Sequence, residues 1–414
     1  MNILIASDSY KGSLSSKRVA ELIEIGVREV MPEANVIKVA VADGGEGTVD
    51  SMISCVGGTL AYCTVSGPLG ADTNAEYGIF DNGNAIMEMA EASGLTLIEE
   101  AQLDILKAST YGTGQMIKAA LDRGCREIYI GIGGSATNDG GIGMAQALGA
   151  HFYDKDGCEV GRGGGELERI EKIDLNDMDH RLKNSKLITM CDVSNLLCGP
   201  TGAAAIYGPQ KGATPELIKR LDDGLSHLAG VIKRDIGIDV LSISGGGAAG
   251  GLGMGLVAFT GAKLQSGIEA VLQAVNIEEK IRWADLVITG EGRIDGQSMN
   301  GKVPMGIASK AAQQDVATIA IVGCIGENAQ NVFENNIDSL ESCVVAPCTI
   351  EDALMQAETN LVFATERIIR SISVGLKLKL RSQYNENSGS GRRGTNGIGN
   401  RRGCGKSGIF GCKC

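Results

Sequence analysis

Six short segments of this chain gather carboxylates, hydroxyls, lysines and glycines in patterns that small-molecule chemistry uses. GIGGSATNDGG, residues 131–141, follows an apolar run and leads into an amphipathic one. In that setting the backbone of Gly133, Gly134, Ser135, Ala136, Thr137 and Asn138 can wrap a phosphate, and the dipole of the following helix adds to the attraction. The hydroxyl, amide and carboxylate groups up to Asp139 suit phosphates with a bound cation. Gly131, Gly133 and Ala136 also fit the dinucleotide pattern GxGxxA, with Asp156 at ribose-binding spacing, so an NAD-linked oxidoreductase of a small hydroxy acid stays open beside a phosphate site or a plain tight turn.

The other segments add charge. In DGGEGT, residues 43–48, Asp43 and Glu46 beside glycines suggest Mg²⁺, which takes few protein carboxylates; Asp43 could equally cap a helix. SDSYKGSLS offers Asp8, Ser9 and Lys11 to a hydroxy acid or a phosphate, or else is an N-cap beside a solvated lysine. In CDVSN, Asp192 is placed like a base for a substrate hydroxyl and Asn195 like a metal or substrate contact, while Lys211 in YGPQKGA is placed like a phosphate clamp. TGEGRIDGQSMNGK, residues 289–302, carries Glu291, Arg293, Asp295 and Lys302. Gly296, Gly301 and Lys302 follow the spacing GxxxxGK, but Val303 stands where a metal-binding Ser or Thr belongs, so this is not a P-loop. Lys302 can still neutralise phosphate charge, and Glu291 and Asp295 are candidates for cation or hydroxyl contacts.

All of these segments but YGPQKGA directly follow an expected strand. Ile3–Ala6, Val36–Val41, Ile128–Ile132, Leu187–Met190, Leu286–Thr289, Thr318–Val322 and Val344–Ala346 are short apolar runs. Helices are expected between them: one with its apolar face at Val19, Leu22, Ile23, Val27 and Val30, capped by Ser13 or Ser15 and stopped by Pro32, and others near 46, 116–121, 142–148, 215–234, 304–314 and 351–372. Strand and helix in alternation mean an α/β fold, a Rossmann-like, mostly parallel sheet whose active edge lies at the strands' carboxyl ends. The segments 59–105 and 151–265 break the rhythm with Gly-Pro turns and hairpin-like stretches, so they are expected to form an inserted α/β domain within a first domain made of 1–58, 106–150 and 266–380. Residues 381–414, basic, rich in Gly and poor in apolar residues, are expected to be a disordered tail. GCGKS at 403–407 lacks the first Gly of a Walker pattern, which Asn400 replaces, and no strand precedes it.

Composition narrows the partners. With 38 Lys and Arg against 50 Asp and Glu, the chain carries a formal charge of -12 and repels nucleic acid and anionic membranes. The longest charge-free run, Val240 to Ala262, is broken by glycines and is not a membrane span. The start MNILIASDSYKG reads as a strand and turn, not a signal peptide, and the 12 Cys include no CxxC pair, so the expected compartment is the cytoplasm. The three His lie outside the glycine loops, GxSxG and HExxH are missing, and the single Trp283 reads as packing.

Taken together and in order, SDSYKGSLS, ADGGEGT, EMAEASGL, GIGGSATNDGG, CDVSN, YGPQKGA, GGAAGGLG and TGEGRIDGQSMNGK resemble the type-1 glycerate kinases, over about residues 1–378. The resemblance implies ATP-dependent phosphorylation of D-glycerate, typically at the 2-hydroxyl, by a two-domain enzyme with its active site in the cleft between the domains. ATP and Mg²⁺ are then the expected cofactors, in a monomer or homodimer. Under that reading the expected catalytic residues are Asp192, Asp295 and Lys211; the substrate contacts Asp8, Ser9, Lys11, Arg293 and Asn195; the nucleotide contacts residues 133–138 and Lys302; and the metal-side acids Asp43 and Glu46. A sugar-acid sensor that binds without turnover is a third reading. Three positions depart from the family pattern: Tyr10 where Phe is usual, Gln115 where Glu is usual and Leu196 where Pro is usual.

Overall fold

Ile3, Leu4, Ile5 and Ala6 lose all contact with solvent in strand β1 (Asn2–Ser7), the centre of the first of two sheets in a computed structural model that describes residues 1–10, 12–41, 48–296 and 302–390. Runs apolar on both faces are what a sheet covered by helices on both sides requires. β1 pairs in parallel with β2 (Asn35–Ala40) on one side and β11 (Leu286–Thr289) on the other; β13 (Ala317–Val322) and the edge strand β15 (Ser339–Ser342) follow. The order β15-β13-β11-β1-β2 reverses direction between β1 and β11.

The second sheet runs β10-β9-β6-β5-β4-β3, with a parallel part of β5 (Ala85–Glu88), β6 (Glu127–Gly131), β9 (Lys186–Met190) and β10 (Lys263–Gln265) and an antiparallel hairpin of β3 (Gly58–Ser66) and β4 (Asp72–Phe80) at its edge. Two small ladders complete the strands: β7 (His151–Tyr153) with β8 (Lys172–Asp174), and β12 (Arg293–Ile294) with β14 (Cys324–Ile325). β6 belongs to this second sheet, a correction to the expected grouping of 106–150 with the first. A strand, loop and helix in sequence fix local structure, but both faces of β6 are apolar and would suit either sheet; pairing to β5 and β9 decides it. A strand at 344–346 is likewise not formed. The edge strand is the polar SLES at 339–342, which needs to cover only one flank.

Side chains of both sheets share one apolar layer. Leu4 and Ala6 of β1 join Ile86, Tyr129, Ile188 and Met190 of the second sheet around the helices Thr48–Val56, Gly267–Ala274, Ile277–Trp283 and Val303–Ala312. The opposite face of the second sheet carries a larger core with the helices Tyr111–Asp122, Pro215–Asp235 and Leu252–Thr260. Beside β1 and β2 lies the helix Ser16–Val30, where the Ser15 hydroxyl accepts from Arg18 N at 3.3 Å and Val19, Leu22, Ile23 and Val27 are buried. That cap is worth about 1 kcal/mol.

The residues Met1–Glu366 make one compact unit, and a second begins at Arg367. The helix Ala357–Ser390 supplies the described part of the second. It carries regular structure ten residues into the stretch expected to be irregular; residues 391–414 lie outside the described residues.

Candidate active site

Where a parallel sheet reverses its strand order, the loops leaving the two central strands diverge and open a crevice at the carboxyl edge. In the first sheet those loops follow β1 and β11. They are tied at their base, because Asp8 N and the Ser7 hydroxyl both donate to the Gly290 carbonyl at 3.0 Å. Gly290 is required there, since a Cβ would lie 2.0 Å from the Ile321 carbonyl. Asp8 accepts from Ser9 N at 2.6 Å and from the Ser9 hydroxyl at 3.3 Å. Lys302 pairs with the buried Glu291 at 2.9 Å, and the exposed Arg293 pairs with Asp295 at 3.3 Å.

A cavity of about 500 Å³ opens at this edge, within the range of small-molecule sites. Its polar lining comes chiefly from the segments that follow β1 and β11, with Asp8, Ser9, Glu291, Arg293 and Lys302, and is completed by Ser13, Thr349 and Asn360. Its apolar lining comes from Val344, after β15, and from Ile350, Ala353 and Leu354 of the short helix Ile350–Met355. Tyr10 also lines it, with its hydroxyl donating to the Ile321 carbonyl at 2.8 Å. Burial, with Cys343 and Glu291 nearby, pushes the Tyr10 hydroxyl well above its usual pKa. Tyr10 belongs to SDSYKGSLS, but the apolar lining belongs to no motif of chemical residues.

The glycine loop after β6 has a different organisation. Asp139 is fully buried and accepts from Thr110 N at 2.8 Å, the Thr110 hydroxyl at 2.9 Å, Gly141 N at 3.1 Å and Gly143 N at 3.3 Å. Burial raises the carboxyl's pKa against these donors. The N–H groups that open the helix Ile142–Ala147 therefore face the protein's own carboxylate, where a dinucleotide pyrophosphate would need them. Lys211 is 1% exposed, and its ammonium donates to the Ser135 hydroxyl and the Thr137 carbonyl, both at 2.7 Å. Desolvation draws its pKa down to about 7. Ala136 N is engaged by the Ser93 carbonyl, and the Gly134 carbonyl by Leu95 N, which seats the loop on the EMAEASGL segment. Gly250 of GGAAGGLG, at φ +66°, packs so closely on Thr137 that a Cβ would lie 2.0 Å from its carbonyl oxygen. Thr137 and Asn138 are buried with side-chain polar atoms left unpaired, and Gly133 and Gly134 are exposed.

Asp192 leaves the carboxyl end of β9 and is exposed; one of its oxygens accepts from Gly267 N at 2.9 Å, at the start of the helix Gly267–Ala274. Asn195 bridges the Thr201 carbonyl and the Tyr207 hydroxyl, each at 2.8 Å. The structure thus gathers Asp8, Ser9, Arg293 and Lys302 at one cavity, with Asp295 paired to Arg293, and gathers Lys211 with residues 135–137 at the second sheet; Asp192 and Asn195 stand in a loop from that sheet's carboxyl edge. Lys11, Asp43 and Glu46 lie outside the described residues. Among the described residues, no group of three or more His, Cys, Asp or Glu is placed to hold a metal ion. The two edges meet at the helix Thr48–Val56, where Val49 N donates to Glu88 at the end of β5, 3.3 Å away. Gln115, the departure from Glu, accepts from Ser66 N at 2.7 Å, a bond that either side chain can make. Leu196 is exposed.

Two mostly parallel sheets, with acids, lysines and glycine turns collected at their carboxyl edges, define an α/β protein built to bind a small anionic molecule. The model of the glycerate kinase family matches residues 3–373, and the chain belongs to that family. It is 47% identical over 378 residues to the glycerate 2-kinase of Escherichia coli (strain K12), covering 91% of this chain and 99% of that protein. It is 48% identical over 373 residues to the glycerate kinase of Halalkalibacterium halodurans, covering 90% and 97%. A crystal structure assigned to glycerate kinase 2 of Salmonella typhimurium LT2 superposes with a TM-score of 0.80 at 46% identity, covering 91% of this chain and 99% of the other.

Proposed function

We propose that this chain transfers the terminal phosphoryl group of ATP to D-glycerate, at the 2-hydroxyl, giving 2-phosphoglycerate. The observation that carries the reading is the near-full-length identity to a glycerate 2-kinase. Phosphoryl transfer asks for positioning and charge neutralisation more than for covalent chemistry. Lys302 and Arg293 supply positive charge at the cavity, and Asp8 and Ser9 supply acceptor and hydroxyl groups for a hydroxy acid. Asp192 is the proposed base: Gly267 N holds one oxygen and so orients the carboxylate, leaving the other for a substrate hydroxyl. Asp295 is second in line, held by Arg293. Mg²⁺ would accompany the nucleotide and neutralise its phosphates, with Asp43 and Glu46 the acids proposed for its side. The proposed compartment is the cytoplasm, where such a reaction would have ATP to draw on.

The test is incubation of the protein with D-glycerate and either Mg·ATP or NAD⁺. ADP release with a phosphorus NMR signal of 2-phosphoglycerate is expected. NADH formation without ADP would establish the oxidoreductase instead, and calorimetric binding of glycerate with no ADP under saturating Mg·ATP would establish a sensor.

A further inference from the structure

We propose that the cavity at the β1/β11 reversal receives the adenine nucleoside of ATP, so that the nucleotide is held by the first sheet and not by the glycine loop after β6. The inference rests on the kinase reading for the identity of the nucleotide. Three observations carry it. The first is topological: among the described residues, strand order reverses in the first sheet and not in the second, whose parallel strands follow one another in a single direction, β5-β6-β9-β10. The second is the composition of the cavity wall. Glycerate is a three-carbon acid with oxygen on every carbon and offers nothing to Val344, Ile350, Ala353 or Leu354, whereas a purine ring buries its faces on such a surface. At about 500 Å³ the cavity also exceeds what glycerate alone would fill, and Arg293 and Lys302 in the same wall match a phosphate chain leaving the nucleoside.

The third observation concerns the alternative. The helix N-terminus in the glycine loop already receives Asp139, and the Lys211 ammonium already bonds Ser135 and Thr137. A triphosphate placed there would meet a carboxylate at the helix start and would have to extract a buried lysine from both partners. The loop is built as an internal tie.

Cys348 lines the cavity and is exposed, which makes it a reporter that needs no turnover. Cys158, exposed beside the β7/β8 ladder, is the internal control. The intact protein is labelled with N-ethylmaleimide, with adenosine, AMP or D-glycerate present, and each cysteine is read from its peptide by mass spectrometry. The expected result is slower labelling of Cys348 with adenosine and AMP, a smaller effect with D-glycerate, whose proposed contacts Asp8 and Ser9 lie on the polar wall, and Cys158 unchanged throughout. An Ala353→Trp variant, which puts an indole into the cavity from the short outer helix, is expected to raise KM for ATP by about tenfold or more, about 1.4 kcal/mol, and leave KM for glycerate within about twofold. Protection by glycerate but not adenosine, or full turnover with no nucleoside protection, overturns the assignment. Nucleoside protection in a protein that cannot phosphorylate glycerate supports the site and refutes the substrate reading, so the two can fail separately.

Discussion

Replacing Lys211 with Met separates an internal tie from a phosphate clamp. The ammonium bonds the Ser135 hydroxyl and the Thr137 carbonyl at 2.7 Å in a fully buried setting, with Asp139 as the neighbouring charge. Removing it orphans a buried carbonyl and a hydroxyl, each costing about 1–3 kcal/mol, and takes a counter-charge from Asp139. Burial of the Met side chain offsets part of this, so a net loss of about 2–4 kcal/mol at pH 7 is expected. The loss also depends on pH. The folded pKa of Lys211 is about 7, below the 10.5 of the unfolded chain. Between those values the unfolded state holds a proton that the native state lacks, so this group makes stability rise with pH through that window and contributes no slope below it. Asp139 works in the opposite sense at acid pH: its raised pKa gives stability that is present below the usual Asp pKa and lost as pH climbs through the folded value. Urea unfolding of both proteins at pH 7 and pH 9 measures the effect, and the gap between them is expected to widen by about 2 kcal/mol at the higher pH. Should Lys211→Met keep its stability within about 1 kcal/mol while KM for ATP rises more than about tenfold, the lysine grips phosphate and the internal tie is wrong.

Asp192→Asn keeps an oxygen for Gly267 N, so the melting temperature should hold while turnover falls by about 100-fold or more; turnover within a few-fold of the parent removes Asp192 from the chemistry. Gly250→Ala forces a Cβ against the Thr137 carbonyl at φ +66° and should cost about 2–5 kcal/mol in a denaturant melt; an unchanged melt would refute the tight packing of this loop on Thr137. Gln115→Glu restores the family's usual residue and still accepts from Ser66 N, so steady-state rates should stay within a few-fold; a larger change would show that the amide was selected for more than this bond.

The expected strands at 286–289 and 318–322 coincide with β11 and β13 within a residue, and the helix at 215–234 with Pro215–Asp235, because long apolar periodicity reports burial directly. For the same local reason the sequence narrowed the cap to Ser13 or Ser15, and Ser15 makes it. The sheet membership of β6 was not, since pairing is a long-range choice between equally apolar edges. Nor was the polar edge strand Ser339–Ser342, whose half-buried side chains leave no alternation to read. At the site, charged residues announced the polar lining, but Val344, Ala353 and Leu354 bear no chemical signature, and only folding reveals that they stand beside Asp8 and Arg293. In the glycine loop, residue types and spacing gave no sign of the internal partners: the bonds of Asp139 to Thr110, Gly141 and Gly143 and of Lys211 to Ser135 and Thr137 appear only once the chain is folded.

The apolar layer common to both sheets limits how substrates can enter. Swinging one sheet away from the other would wet Leu4, Ile86, Tyr129 and Ile188 together, at about 25 cal/mol for every Å² uncovered. A clam-like opening on each turnover would therefore work against the hydrophobic glue of the whole molecule. The rim is built differently: the short outer helix Ile350–Met355, which lines the cavity, has no fully buried residue, so displacing it would uncover far less apolar surface.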